Sequence, residues 1–199
     1  MLADDAFPGR ELNVTTLRNL TGHHRSSVVN AEVHSDSKRL VVDLFEQYHS
    51  AVFAYLYRMV DDREWAHDLT QETFLRLFRA RGRLSQVENR RAWIYRIATN
   101  LTLNALKRRQ RFAWLPWRST DVTHLTGPDL AEQAERSIAV ERVLAQLPPH
   151  YRAPLLLHSH YGLSIQEVAQ ALNISVSAVK TRLYRAREMF RQVYDTEET

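Results

Sequence analysis

Hydrophobic residues recur at three- and four-residue spacing from about residue 38 to residue 111, and this spacing predicts helices. The apolar stripe of a first helix leads up to Asp61-Asp62, where we expect the helix to end: Leu40, Leu44, Tyr48, Val52, Tyr55, Leu56 and Met59. A second helix closes near Gly82 and contains Trp65, Leu69, Phe74, Leu77 and Phe78. A third, over 92–111, contains Trp93, Ile94, Ile97, Ala98, Leu101 and Ala105. The pattern predicts a helical bundle.

Interruptions of this periodicity divide the chain. Residues 1–37 show no sustained pattern, and we predict that they are largely disordered. Residues 112–133 contain two prolines and a glycine and are predicted to be a flexible linker. A second helical domain is expected over 134–194, followed by an acidic tail at 195–199. Few glycines and prolines leave little for a β-rich fold, so we predict an all-α protein with two small domains.

Residues 164–187 have the pattern of a helix-turn-helix. Ser164 and Glu167 form the capping box of a first helix, Asn173 suits a left-handed turn, and Ser175 caps a second helix. The second helix is expected to turn three residues inward: Val176, Val179 and Leu183. Its remaining faces carry Lys180, Thr181, Arg182, Tyr184, Arg185 and Arg187. The alternative is an ordinary helical hairpin with a solvated basic face.

Charge is distributed in alternating blocks, although the net charge is only +4. Residues 40–75 contain seven acidic and two basic residues, whereas residues 76–118 contain twelve basic residues and one acidic residue. Acidic residues outnumber basic ones again over 119–147, and basic residues outnumber acidic ones over 148–194. The two basic blocks suggest two separate nucleic-acid surfaces, and the acidic blocks remain available for a basic partner.

The first basic block combines a polar loop with a helix. The loop, 84–91, is large enough to receive a base lifted from a duplex. Asn100 and Asn104 lie one turn apart on the helix behind it and can pair with base edges, while neighbouring arginines neutralise phosphates. A plain solvated basic face is the alternative, and Trp93 is better explained as a core residue than as a stacking platform.

Other classes of protein lack support in the sequence. There is no cysteine, and the nine histidines show no metal-ligand or catalytic spacing, so we expect no cofactor, no metal site and no enzymatic activity. No apolar run could span a bilayer, and the N-terminus lacks the order of a signal peptide. We therefore expect a cytoplasmic location.

Three segments resemble the extracytoplasmic-function (ECF) group of bacterial RNA polymerase sigma factors. Residues 68–79, DLTQETFLRLFR, resemble the family's second conserved region. Residues 89–104 resemble the segment that melts and reads the -10 element, and residues 162–188 the region that reads the -35 element. The matches cover roughly 38–192. The chain departs from the family in having Asn173 where a glycine is usual at the turn, and in the length of its N-terminal segment, residues 1–37.

The resemblance implies a function and a set of site residues. A sigma factor binds core RNA polymerase, through the β′ clamp helices and the β flap, and has an anti-sigma factor as a further expected partner. The residues implied for polymerase binding are Asp68, Gln71 and Glu72. Those implied for -10 DNA are Ser85, Asn89, Arg91, Arg96, Asn100, Asn104, Lys107 and Arg108. Those implied for -35 DNA are Ser175, Ser177, Lys180, Thr181, Tyr184 and Arg185.

Two other functions compete with this interpretation. A stand-alone helix-turn-helix regulator would need a ligand-binding or receiver domain, and the first domain shows neither the strand–helix alternation nor a pocket pattern that such a domain requires. A nucleic-acid enzyme would need a catalytic or metal constellation. His158 and His160 could be considered, but two positions apart on a helix their rings diverge.

Overall fold

The computed structural model describes the backbone of residues 26–111 and 139–197, and side chains within 37–110 and 139–195. In these ranges the regular elements are all helical: α1 (Ser26–Val60), α2 (Arg63–Arg79), α3 (Arg90–Arg111), α4 (139–146), α5 (Pro149–Leu155), α6 (Ile165–Leu172) and α7 (Val176–Glu197). The all-α prediction is confirmed. The predicted linker, 112–133, lies outside the described residues.

The ends of the chain differ from the sequence-based expectation. Helix α1 begins at Ser26, so the expected disorder of residues 1–37 is wrong for 26–37. No glycine or proline interrupts the chain between Ser26 and Val60, and nothing local stops the helix from extending toward the N-terminus. At the other end, α7 continues to Glu197, so most of the expected acidic tail belongs to a helix.

The turn between α1 and α2 lies where the sequence predicted it. Asp61 adopts a left-handed conformation with φ 52°. Asp62 then caps α2, because its Oδ1 accepts a hydrogen bond from the Trp65 backbone N–H at 3.0 Å. This short connection folds α2 back along α1. The buried faces of α1, α2 and α3 form the core of the first domain, with the largest contributions from Tyr55, Leu56, Met59, Leu77, Ile94 and Tyr95.

The connection between α2 and α3 is more ordered than a loop. Residues Arg81–Gln86 form a 3-10 helix, and Leu84 within it is completely buried. Burying a leucine side chain is worth about 1.5–3 kcal/mol, which anchors the segment to the core. Asn89 then caps α3, since its Oδ1 accepts a hydrogen bond from the Ala92 N–H at 2.9 Å. The prediction of a loop over 84–91 is therefore wrong for 84–86 and also for 90–91, which already belong to α3.

The second domain places α5, α6 and α7 around a core that includes Leu147, Leu157, Leu163, Val168 and Val179. Helix α5 starts with Pro149. Backbone N–H groups in the first turn of a helix have no acceptor within the helix, so a proline, which lacks this N–H, is well tolerated there. A π-helical turn follows at Leu156–His160, and Gly162 then takes a positive φ of 65°. That conformation favours glycine and lets the chain turn into α6.

The two domains pack against each other, which the sequence did not predict. Tyr161 of the second domain has its ring 5.7 Å from those of both Tyr55 and Tyr95 in the first. Arg58 forms an ion pair with Glu141 at 2.8 Å across the same boundary. These contacts belong to one compact unit that starts at Ser37. No helix among those described is both long and apolar enough to cross a membrane.

Arg152 connects the domains from a buried position. Its guanidinium donates to the backbone carbonyls of Arg58 (3.3 Å) and Met59 (3.0 Å) at the end of α1. It also donates to the carbonyls of Leu147 (2.9 Å) and Ala145 at the end of α4. Burial lowers the pKa of the guanidinium to about 10, and the nearby Asp61 carboxylate opposes this shift. Arg152 therefore remains charged and serves two helix C-termini, where unpaired carbonyls favour a cation.

Candidate nucleic-acid interfaces

The helix-turn-helix has the local geometry that its sequence predicted. The Glu167 N–H donates to Ser164 Oγ at 3.2 Å, and the Ser164 N–H donates to Glu167 Oε2 at 2.8 Å, so the capping box of α6 is complete. Asn173 takes the left-handed conformation with φ 54° and ψ 48°. Ser175 caps α7 by accepting from the Ala178 N–H at 3.1 Å. These predictions are confirmed.

Helix α7 separates a buried side from an exposed side. Val179, Leu183 and Ala186 are at most 3% exposed and face the core. All six residues implied for -35 contact are exposed: Ser175, Ser177, Lys180, Thr181, Tyr184 and Arg185. Tyr184, at 67%, has the largest exposed fraction among the large hydrophobic side chains that the structure describes. Arg185 is within 3.3 Å of the Tyr151 hydroxyl, which orients its guanidinium.

One position on α7 contradicts the sequence analysis. Val176 was expected to point inward with Val179 and Leu183, but it is 38% exposed. It is the first residue of α7, and it directly follows the capping residue Ser175. The three-residue spacing between Val176 and Val179 fits either a buried residue or one at the edge of the buried side. Only the packing of α7 shows that Val176 lies at the edge.

Most of the candidate -10 residues, which lie on α3 and in the segment just before it, are exposed to solvent. Six of the eight are exposed: Ser85, Arg96, Asn100, Asn104, Lys107 and Arg108. On α3, Arg96, Asn100 and Asn104 follow each other at four-residue intervals and share one side of the helix. Trp93 is partly buried against the core, as expected. This exposed side of α3 combines amide groups with cations, the composition that suits base edges and phosphates.

The remaining two -10 candidates are engaged at the boundary between the domains. The Asn89 amide donates to Glu167 Oε1 at 3.0 Å. The Arg91 guanidinium donates to the backbone carbonyl of Tyr161. The hydrogen bond from Asn89, followed by that from the Ser164 backbone, lowers the pKa of the Glu167 carboxyl. In this arrangement Asn89 and Arg91 are turned toward the second domain.

The exposed face of α2 is less acidic and more apolar than its sequence suggested. Asp68 and Gln71 are exposed. The Glu72 carboxylate is paired with Arg76 at 2.7 Å and lies 3.9 Å from Arg79, so its charge is largely neutralised within its own helix. Leu75, one turn beyond Gln71, is 49% exposed. The sequence analysis did not identify Leu75 as a candidate site residue. Leu75 does not belong to the predicted apolar stripe of this helix, and that could have indicated that its side chain is exposed.

Phe78 lies at the end of the same face. It was grouped with the apolar residues of the second helix but is 40% exposed. The Arg81 guanidinium stacks over its ring at 4.4 Å from the ring centroid. Leu75 and Phe78 are three residues apart on α2, and both add exposed apolar surface beside the polar residues Asp68 and Gln71.

The fold and these surfaces define a helical, two-domain DNA-binding protein with a helix-turn-helix in its second domain. A family profile described as sigma-70 region 2 matches residues 44–112, and one described as sigma-70, region 4 matches residues 137–190. Together the two profiles account for more than half of the chain. The chain belongs to the sigma-70 family, in its ECF group.

Several known proteins are similar over most of their length. The ECF RNA polymerase sigma factor SigW of Bacillus subtilis is 29% identical over 161 residues, which cover 75% of this chain and 86% of SigW. The RNA polymerase sigma factor CarQ of Myxococcus xanthus is 30% identical, covering 76% and 87%. The sigma factor RpoE of Bartonella quintana, solved in complex with the anti-sigma factor NepR, has a similar fold. Its TM-score is 0.59 at 19% identity, covering 77% of this chain and 95% of RpoE.

Membership of this family fixes the general function. The protein is a transcription initiation factor that directs RNA polymerase to promoters, and it is not itself an enzyme. The assignment of particular residues to polymerase, -10 DNA and -35 DNA is a separate matter, which depends on the surfaces described above.

Proposed function

We propose that α7 reads the -35 element by entering the major groove with its N-terminal half. The separation of α7 into a buried apolar side and an exposed polar side is the observation that carries this proposal. Lys180, Thr181, Tyr184 and Arg185 form the central contact set, with Ser175 and Ser177 at the helix start. In helix-turn-helix proteins the N-terminal residues of the second helix contact base edges. Arginine and lysine on such a helix can bind guanine or phosphate.

The exposed side of α3 is the proposed -10 surface. Asn100 and Asn104 would contact bases of the melted strand, and Lys107 and Arg108 would bind phosphates, with Ser85 and Arg96 beside them. Asn89 and Arg91 would join them only after releasing Glu167 and Tyr161. The proposal therefore includes a separation of the two domains when the promoter is bound.

The face of α2 that contains Asp68 and Gln71 is the proposed docking surface for core polymerase, through the β′ clamp helices, with the second domain meeting the β flap. The exposed Leu75 and Phe78 support it, because apolar residues beside polar ones are what a stable protein interface requires. Glu72 is expected to contribute less than Asp68, since Arg76 and Arg79 already bind its carboxylate.

An anti-sigma factor is the proposed regulatory partner. The similar fold of RpoE, which was solved with an anti-sigma factor bound, supports this at the level of the fold. Because the protein acts on polymerase and promoter DNA, we infer that it works in the cytoplasm. The stand-alone regulator, the other function that the sequence left open, is not supported, because the chain belongs to the sigma-70 family, whose members act with RNA polymerase.

The decisive experiment is in vitro transcription on a genomic promoter library with core polymerase, with and without this protein. We expect a set of start sites that depends entirely on its addition. The same library is then transcribed with the fourfold variant Lys180→Ala, Thr181→Ala, Tyr184→Ala and Arg185→Ala. If the protein supports no start sites, the polymerase-dependent function is wrong, and if the variant keeps the wild-type -35 preference, α7 is not the reader.

A further inference from the structure

In the part of the chain that the structure describes, the exposed large hydrophobic residues belong to three helices. Four are on α1 and α2: Val42, Phe45, Leu75 and Phe78. The other two, Val176 and Tyr184, are on the exposed side of α7. Tyr184 has a hydroxyl that can bind DNA or water. Val176 has no polar group, so neither capping nor hydrogen bonding accounts for its exposure.

The position of Val176 is that of a residue that meets base edges. It is the first residue of α7, directly after the capping residue Ser175, and Lys180 follows one turn later on the neighbouring part of the exposed side. In helix-turn-helix proteins the N-terminal residues of the recognition helix contact base edges in the major groove. Because residues four apart on a helix are neighbours, the isopropyl group lies next to Lys180, at the edge of the proposed contact set.

The chemistry of the side chain limits what it can recognise. An isopropyl group cannot form hydrogen bonds with the donors and acceptors on the base edges. Burying those polar groups against it, without a hydrogen-bond partner, is unfavourable. The major groove offers one apolar feature, the C5-methyl group of thymine. A β-branched valine holds few rotamers in a helix, so its methyl groups are already fixed in place before binding.

We propose that Val176 selects a thymine in the -35 element by contact between its isopropyl group and the C5-methyl group of the base. This inference rests on the proposed entry of α7 into the major groove and adds a specificity-determining residue to it. Because the contact buries about one methyl group on the DNA, its loss is expected to weaken binding roughly threefold to fourfold.

The test uses holoenzyme, assembled from core polymerase and the full-length protein, on a promoter selected by the wild type. Each thymine of the -35 element, on either strand, is replaced by deoxyuridine, which pairs identically but lacks the methyl group. We expect one replacement to weaken wild-type binding threefold to fourfold. Val176→Ala should weaken binding to thymine DNA by a similar factor and should be insensitive to that same replacement.

Matched variants separate the possible results. Val42→Ala removes the same atoms from an exposed valine on α1 and should retain full sensitivity to deoxyuridine. Thermal unfolding of Val176→Ala checks that the fold is intact. The inference is overturned if no replacement affects the wild type, if Val176→Ala keeps the wild-type sensitivity, or if the selected element contains no A·T pair.

Failure of the proposed function would look different. If Lys180→Ala and Arg185→Ala also leave the -35 preference unchanged, α7 does not read the -35 element. Both the proposed role of α7 and the inferred role of Val176 are then wrong. If those two variants change the preference while neither Val176→Ala nor deoxyuridine has an effect, only the role of Val176 is wrong.

Discussion

Asn89 and Glu167 each cap the start of their own helix and also bind each other across the domain boundary. Asn89 Oδ1 accepts from the first turn of α3, while its amide donates to Glu167 Oε1 at 3.0 Å. Glu167 Oε2 accepts from the Ser164 N–H at the start of α6. The two helix starts are thereby joined side chain to side chain. A residue proposed to contact the -10 element is thus also part of the contact that holds the second domain in place.

The first prediction concerns pH. Asn89→Ser should keep a capping oxygen for α3 but lose the amide that binds Glu167, so the pKa of the Glu167 carboxyl should rise toward its ordinary value of 4.5. Because the folded-state pKa is lowered, ionised Glu167 stabilises the fold above about pH 4.5. This contribution is lost as the pH falls through the folded-state value. NMR titration of Glu167 and urea unfolding across the acidic range measure both effects.

Ser164→Ala is the control for this prediction, since it removes the hydroxyl cap of α6 but leaves the amide of Asn89 in place. It should destabilise the protein by about 1 kcal/mol at neutral pH and leave most of the lowered pKa of Glu167 intact. An unchanged Glu167 pKa in Asn89→Ser would contradict the contribution of this contact.

The second prediction concerns the buried arginine. Arg152→Leu should destabilise the protein by at least about 2 kcal/mol, because carbonyls of Arg58, Met59, Ala145 and Leu147 lose their donor. Urea unfolding gives the free energy. The control is Arg142→Leu, at an exposed position on α4, which should change stability by less than about 0.5 kcal/mol. Equal stabilities for the two variants would refute the structural role of Arg152.

The third prediction separates residues on the docking face of α2. Asp68→Lys and Leu75→Ser should each weaken binding to core polymerase, by about tenfold for Leu75 if its side chain is buried in the complex. Glu72→Lys makes the same change in charge as Asp68→Lys but should have the smaller effect, because its carboxylate is already paired within α2. Affinity for core polymerase is measured by fluorescence titration. A larger loss for Glu72→Lys would reverse this assignment.

The fourth prediction distinguishes base contacts from phosphate contacts on α3. The double variant Asn100→Ala and Asn104→Ala should reduce open-complex formation to an extent that depends on the -10 sequence. Lys107→Ala with Arg108→Ala should weaken binding at every promoter and reduce the salt dependence by roughly one unit of slope for each phosphate that is no longer neutralised. Permanganate footprints and salt titrations are the measurements. Equal bubbles for the Asn variant and wild type on all -10 sequences would exclude a base-reading role.

Much of the local structure could be predicted from the sequence because it depends on neighbouring residues. The capping box of Ser164 and Glu167, the left-handed turn at Asn173 and the break at Asp61 each involve groups a few residues apart. The buried sides of α3 and α7 follow from helical periodicity in the same way. The basic blocks that led us to propose two DNA surfaces are likewise visible in the order of residues alone.

The tertiary structure decided which of these groups are free to act. Asn89 and Glu167 are 78 residues apart, and Arg152 and Met59 are 93 apart, so no local pattern connects them. Only packing shows that Leu75 is exposed and that Val176 lies outside the core. Sequence periodicity determines which side of a helix is apolar. The partner that each side meets depends on how helices distant in the chain are brought together, and that arrangement makes Asn89 part of a domain contact and leaves Val176 exposed at the start of α7.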